Sequence, residues 1–130
     1  DARNGDYLTR ADVHAQPGRD FALGHIAEGR FGAPAKGIYT GIAIFNPNRT
    51  FTTMDIEAYS PANELLGRVN LLLQDNARIS QTIGQLIPGI TQQNGGTIRV
   101  KSSLPIYLFE VFGGADGEFL VAVPPLILAP

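Results

Sequence analysis

His14 and His25 are the only imidazoles in the chain, so a metal centre or a general base would be sought there first. They lie eleven residues apart. No third ligand stands at a spacing that would complete a tetrahedral site, so solvent or interface contact is the expectation and no metal is assigned. Asp55 and Glu57 come next. Two carboxylates on one face can divide acid and base work, as they do in glycoside hydrolysis. Alternate residues of a strand share a face, and a carboxylate pair on an exposed strand is ordinarily solvated surface. No serine sits in a Gly-x-Ser-x-Gly turn, and neither histidine falls in the strand-rich region where it could act as a base. Asp1, Asn4 and Asp6 have the composition of a calcium loop without its spacing or its closing glutamate. The expectation is a protein that is not an enzyme, with no catalytic residue and no cofactor.

Two further patterns bear on recognition. Asn48-Arg49-Thr50 is an acceptor sequon on an expected turn. Tyr7, Tyr39, Tyr59 and Tyr107 would make a sugar-binding platform if they shared a face. Their spacing does not place them together, so core or interface packing with the hydroxyl at the rim is expected.

Composition narrows the classes further. Charged residues make up 17% of the chain and the net charge is −2, against about 25% charged in ordinary globular proteins. No basic stripe interleaved with aromatics is present, so no nucleic-acid partner is expected. The longest apolar stretch, residues 119–130, is too short to cross a bilayer and is broken by Pro124-Pro125, so no membrane span is expected. Cysteine is absent, which removes disulfides and thiolate metal sites. The chain begins at Asp1 rather than Met, which release from a secreted precursor would explain, and so would trimming of the chain.

The elements that must position these residues fall into three zones. Residues 1–36 hold 10 of the 22 charged residues and five glycines. They read either as a flexible linker or as an extended N-terminal arm with two strand-like segments, 7–13 and 21–27, that adds strands to a sheet; the arm is the expectation. Residues 37–123 read as a β-sandwich domain. A β-branched run over 37–46 stops at Asn46-Pro47-Asn48. Residues 51–59 alternate, with Thr52, Met54, Ile56 and Ala58 on one face, and pair as a hairpin with 65–73, whose Leu65, Val69, Leu71 and Leu73 face inward. Ile79, Ile83, Leu86 and Ile87 recur at helical spacing, which predicts one short helix over 77–87. Three more strands are expected at 97–101, 106–112 and 118–123. Residues 124–130 are an uncharged C-terminal tail. The fold class is all-β, a sandwich of about seven strands with one short helix.

A family resemblance adds to this. Thr40-Gly-Ile-Ala-Ile-Phe-Asn-Pro47, then Ala58-Tyr59-Ser60, Leu65-Leu-Gly67, Pro88-Gly89, Gly96-Thr-Ile-Arg-Val-Lys-Ser-Ser103 and Pro105-Ile106 resemble an immunoglobulin-like β-sandwich module of secreted bacterial proteins, a module with no assigned function. The likeness covers roughly 40–123. It implies an immunoglobulin-like sandwich in an extracellular or cell-surface setting, and it carries over no catalytic residue. The arm and the apolar tail are additions to that module.

An exposed apolar strip must be covered, by its own domain or by a neighbour. The tail either pairs within its own sandwich or, like the arm, completes the sheet of an adjacent subunit. Strand addition of that kind, repeated head to tail, produces a filament. The expected role is an extracellular structural protein that self-associates into an oligomer or polymer, the subunit of a fibre or surface layer. Tyr7, Leu8, Val13, Phe21 and Leu23 in the arm and Leu126, Ile127 and Leu128 in the tail are the candidate contacts. The alternative is a monomeric carbohydrate- or protein-binding module, in contact with a cell surface or polysaccharide, presenting aromatics at the 46–50 or 113–117 turns.

Overall fold

The computed structural model describes residues 16–24, 27–31, 36–90, 93–114 and 120–130. They form ten strands and one short helix: β1 (Gly18–Leu23), β2 (Ala27–Phe31), β3 (Lys36–Phe45), β4 (Thr52–Tyr59), β5 (Leu65–Leu73), β6 (Arg78–Thr82), the helix Ile83–Leu86, β7 (Gln93–Asn94), β8 (Thr97–Gly114), β9 (Leu120–Val123) and β10 (Leu126–Ala129). Every strand pairing is antiparallel. The first sheet runs β5-β4-β8-β1-β10, using the N-terminal half of β8. The second runs β9-β8-β3, using the C-terminal half of β8, with β6 and β2 sharing the far side of β3. The described residues thus form an all-β sandwich with one short helix.

Alternation built the core. Along β4, Thr52, Met54, Ile56 and Ala58 are buried and the residues between them are not. Phe21, Leu23, Ile98 and Val100 come from the first sheet and Ile42, Ile44, Ile106 and Leu108 from the second, forming one cluster that the helix closes with Ile83, Leu86 and Ile87. Each such side chain contributes about 1.5–3 kcal/mol relative to exposure.

The strands expected at 97–101 and 106–112 are one continuous strand that serves both sheets. Pro105 does not interrupt it, because it lies where the partners change. The β4 ladder ends at Ser102 and the β3 ladder begins at Tyr107, so the missing N–H costs no ladder bond. The β1 ladder is irregular there too, between Gly18 and Asp20. Hydroxyls hold the bend. Thr52 Oγ1 lies 2.8 Å from Ser102 Oγ and 3.0 Å from Ser103 Oγ, and accepts from the Leu104 N–H at 3.2 Å. The Thr53 N–H donates to Ser103 Oγ at 3.1 Å.

Residues 77–87 are not a single helix. Residues 78–82 form β6, whose backbone pairs with β3 from Gly41↔Thr82 to Phe45↔Arg78. The open edge of β3 outweighs the weak helical spacing, a tertiary effect on a short segment. Helix begins only where Thr82 and Gln85 form a capping box, with Gln85 N donating to Thr82 Oγ1 at 3.2 Å and Thr82 N to Gln85 Oε1 at 2.9 Å. Leu65 departs from its expected inward face as well. A register shift between Ala58 and Tyr59 inserts one residue, and Leu65 is 55% exposed.

Both terminal zones contain strands of the sandwich. Phe21 and Leu23 of β1 are core residues, and β10 pairs with β1. The two backbones approach so closely that a Cβ on Gly18 would sit 2.9 Å from Ile127 Cγ2. The boundaries drawn at residues 36 and 124 therefore do not separate these strands from the domain in space. A hydrophobic strand flanked by glycines buries more apolar surface inside a sheet than in an arm.

Candidate binding surface

The outward face of the first sheet carries a regular array of polar side chains. On β4 the outward positions are Thr53, Asp55 and Glu57, and on β5 they are Leu66, Arg68, Asn70 and Leu72. On β8 they include Arg99, Lys101 and Ser103. Cross-strand register lines them up in rows: Leu72 beside Thr53, Asn70 beside Asp55 and then Lys101, Arg68 beside Glu57 and then Arg99. Asp20 on β1 continues the middle row.

The charges along these rows pair selectively. Arg99 donates from Nη2 to both carboxylate oxygens of Asp20 at 3.0 Å. Arg68 reaches Asp55 at 3.4 Å and Glu57 at 3.9 Å, and the Tyr59 hydroxyl donates to Glu57 Oε1 at 3.2 Å. Lys101 sits between Asp55 and Asp20 in register yet forms no ion pair with a described residue. Beside it lies a depression of about 530 Å³, lined by Thr53, Asp55, Asn70, Leu72, Lys101, Ser103 and adjacent backbone.

The edges of this sheet have a different character. Among the described residues, β5 pairs only with β4 and β10 only with β1. Leu126 is 64% exposed and Leu128 45%, whereas Ile127 packs against the core. Leu65, Leu66 and Leu72 are exposed along β5. Apolar edge strands with so little charge offer unpaired N–H and C=O groups to another chain.

The other sequence candidates fall elsewhere. Tyr7, Leu8, Val13, His14, His25 and the Asp1–Asp6 segment lie outside the described residues. Tyr59 is on the first sheet, and Tyr39 and Tyr107 are on the second, so these three share no platform. Phe45 and Tyr107 stack with ring centroids 6.2 Å apart, and the Arg78 guanidinium lies 4.3 Å over the Phe45 ring. Phe51, after the 46–50 turn, is exposed. Among the described residues, no group of three or more His, Asp or Glu could hold a metal, and no helix is long and apolar enough to cross a membrane.

Two polar features were not singled out from sequence. Asn46 is a buried hub. Its Nδ2 shares two N–H donors among the carbonyls of Thr50, Leu73 and Gln74, at 3.0, 3.1 and 2.9 Å. Its Oδ1 accepts from Asn48 N at 3.0 Å and from Asn48 Nδ2 at 2.7 Å. Asn48 Nδ2 also donates to the Pro105 carbonyl at 2.8 Å. The sequon nitrogen is therefore already committed to the fold. Glu110 is the second feature. It alternates with the core residues Ile106 and Leu108 on β8, is 1% exposed, and leaves Oε2 without a hydrogen-bond partner. Burial pushes its carboxyl up from 4.5 to about 7.

No family model matches the chain. No curated protein matches it either. Solved structures share its fold. The crystal structure of Thermotoga maritima 1070 superposes with a TM-score of 0.68 at 12% identity, covering 86% of this chain and 96% of that one. The Anabaena sensory rhodopsin transducer superposes with a TM-score of 0.59 at 14% identity, covering 72% of this chain and 95% of that one. At these identities the likeness establishes the fold alone.

Proposed function

We propose that the protein is a non-enzymatic, extracellular structural subunit that self-associates through the open edges of its first sheet and builds a fibre or surface layer. The observation that carries this reading is β10, a C-terminal edge strand without a charged residue whose Leu126 and Leu128 stand exposed. Edge strands of soluble proteins are ordinarily blunted by charge, shortness or cover; β10 is short, at four residues, but carries no charge, and no described strand covers its outer edge. The opposite edge, β5, has one charged residue in nine, Arg68, and that arginine is turned onto Asp55 and Glu57. Pairing β10 of one copy with β5 of the next satisfies two rows of backbone groups. It joins two different surfaces, so the contact is heterologous and repeats without closing. Phe21 and Leu23 act in this reading as the floor under β10 rather than as contacts, because both are core residues. The extracellular setting is supported by the low charge and by the secreted module that the sequence resembles.

The test is negative-stain electron microscopy with light scattering, on the full chain and on a Leu126→Lys/Leu128→Lys variant. Both leucines are exposed, so the lysines leave the core intact and place like charges on the edge. Filaments from the parent chain and dispersed monomers from the variant are expected. A parent chain that stays monomeric at high concentration would overturn the reading.

A further inference from the structure

We propose that the depression on the outward face of the first sheet binds a saccharide bearing a carboxylate, with Lys101 taking the charge and Asn70, Thr53 and Ser103 meeting its hydroxyls. This goes beyond self-association and uses the centre of the sheet, where the proposed assembly uses the edges.

The inference starts from the pairing pattern. Three acids and three bases share the face, and they do not pair one to one. Arg99 takes Asp20, and Arg68 takes both Asp55 and Glu57. Lys101 is left without an ion pair among the described residues, although its register neighbours on both sides are aspartates. The Asn70 amide likewise has no hydrogen-bond partner there. Both project beside a volume of about 530 Å³, within the range of roughly 300–1,000 Å³ usual for small-ligand sites. The Ser103 hydroxyl is fixed in place by Thr52 and the Thr53 N–H, so part of the wall is preorganised.

The ligand class follows by comparing what this wall can bind. β4 lies inside the sheet, with its backbone paired to β5 on one side and β8 on the other. A peptide therefore cannot dock here by strand addition, and recognition falls to side chains. None of the lining residues is aromatic, so a nucleobase has nothing to stack on. Asp55 on the same wall repels a dense polyanion, while a single carboxylate can reach Lys101 across the row. Carboxylate, amide and hydroxyl groups at neighbouring register positions suit several hydroxyls on one rigid ring, and exposed Leu72 offers an apolar patch for a C–H face. A uronate residue combines these groups.

The test is isothermal titration calorimetry of the full chain with three probes: a disaccharide carrying one glucuronate, maltose as its neutral counterpart, and a terminally blocked peptide whose single charge is one glutamate side chain. The same titrations are run on Lys101→Met, whose thermal melting should match the parent because Lys101 is exposed and forms no ion pair with a described residue. Binding of the glucuronate disaccharide that weakens about tenfold in Lys101→Met, with weaker or no binding of the other two probes, is expected. Absence of binding of the glucuronate disaccharide, equal binding of either other probe, or unchanged affinity in Lys101→Met would overturn the proposal.

Discussion

Replacing Glu110 with glutamine keeps the shape of the side chain and removes its ability to ionise. The carboxyl is pushed up from 4.5 to about 7 by burial, and it lies among core residues of β8 with Oε2 unpartnered. The folded chain therefore holds a proton on Glu110 that the unfolded chain releases near pH 4.5. The stabilising contribution of the neutral acid is complete below that pH and is lost as the pH rises through about 7. At about 1.4 kcal/mol per pH unit, the gap corresponds to about 3 kcal/mol. Urea unfolding of parent and Glu110→Gln chains between pH 4 and 8.5 reads this directly. The parent should lose stability across the window, and the variant should be nearly flat, so that glutamine is neutral at pH 4 and stabilising by about 3 kcal/mol at pH 8.5. Any other group that titrates equally in both chains cancels in the difference between them. Parallel curves for the two chains would refute the argument that Glu110 is neutral in the fold.

Further outcomes follow from the hydrogen-bonding of the 46–50 turn and from the tail. Asn46→Ala strands three carbonyls and the two donors of Asn48; it should cost about 2–3 kcal/mol in chemical denaturation. Asn48→Ala, which loses its contacts to Asn46 and Pro105, should cost about 1–2 kcal/mol, and the double variant should cost less than the sum, because the two side chains share one network. Removing residues 124–130 takes Ile127 off the core and leaves β1 as an edge; the melting temperature should fall and, under the proposed assembly, filaments should disappear together with it.

What the sequence made legible was whatever alternation and turn residues control. The β4–β5 hairpin could be read from Thr52, Met54, Ile56 and Ala58, because burial on one face imposes period two on the residues. The 78–82 segment could not. Its apolar residues fit a helix as well as a strand, and the deciding fact was the unpaired side of β3, some forty residues away in sequence. The capping box at Thr82 and Gln85 was a local signal that marked the true helix start. Pro105 stands between the two strands expected at 97–101 and 106–112: proline suggests a strand boundary, and only the change of partners at that position shows why it is tolerated. The candidate groove was not legible at all. Thr53, Asn70 and Lys101 come from three strands, and nothing in their spacing shows that register puts them side by side.

The single long strand β8 also shapes how the molecule yields to force or heat. Its first half is hydrogen-bonded to β1 and β4, and its second half to β3 and β9, so the two sheets share this strand. Peeling one sheet apart drags on the shared backbone of the other through the bend at residues 102–106. The sandwich then lacks a weak seam between its layers, and its two sheets open as one cooperative unit rather than in sequence. In a fibre built from such subunits, tension entering at β10 or β5 would pass through β8 into the whole core. The edge contacts between copies, rather than the domains themselves, would be the first to part.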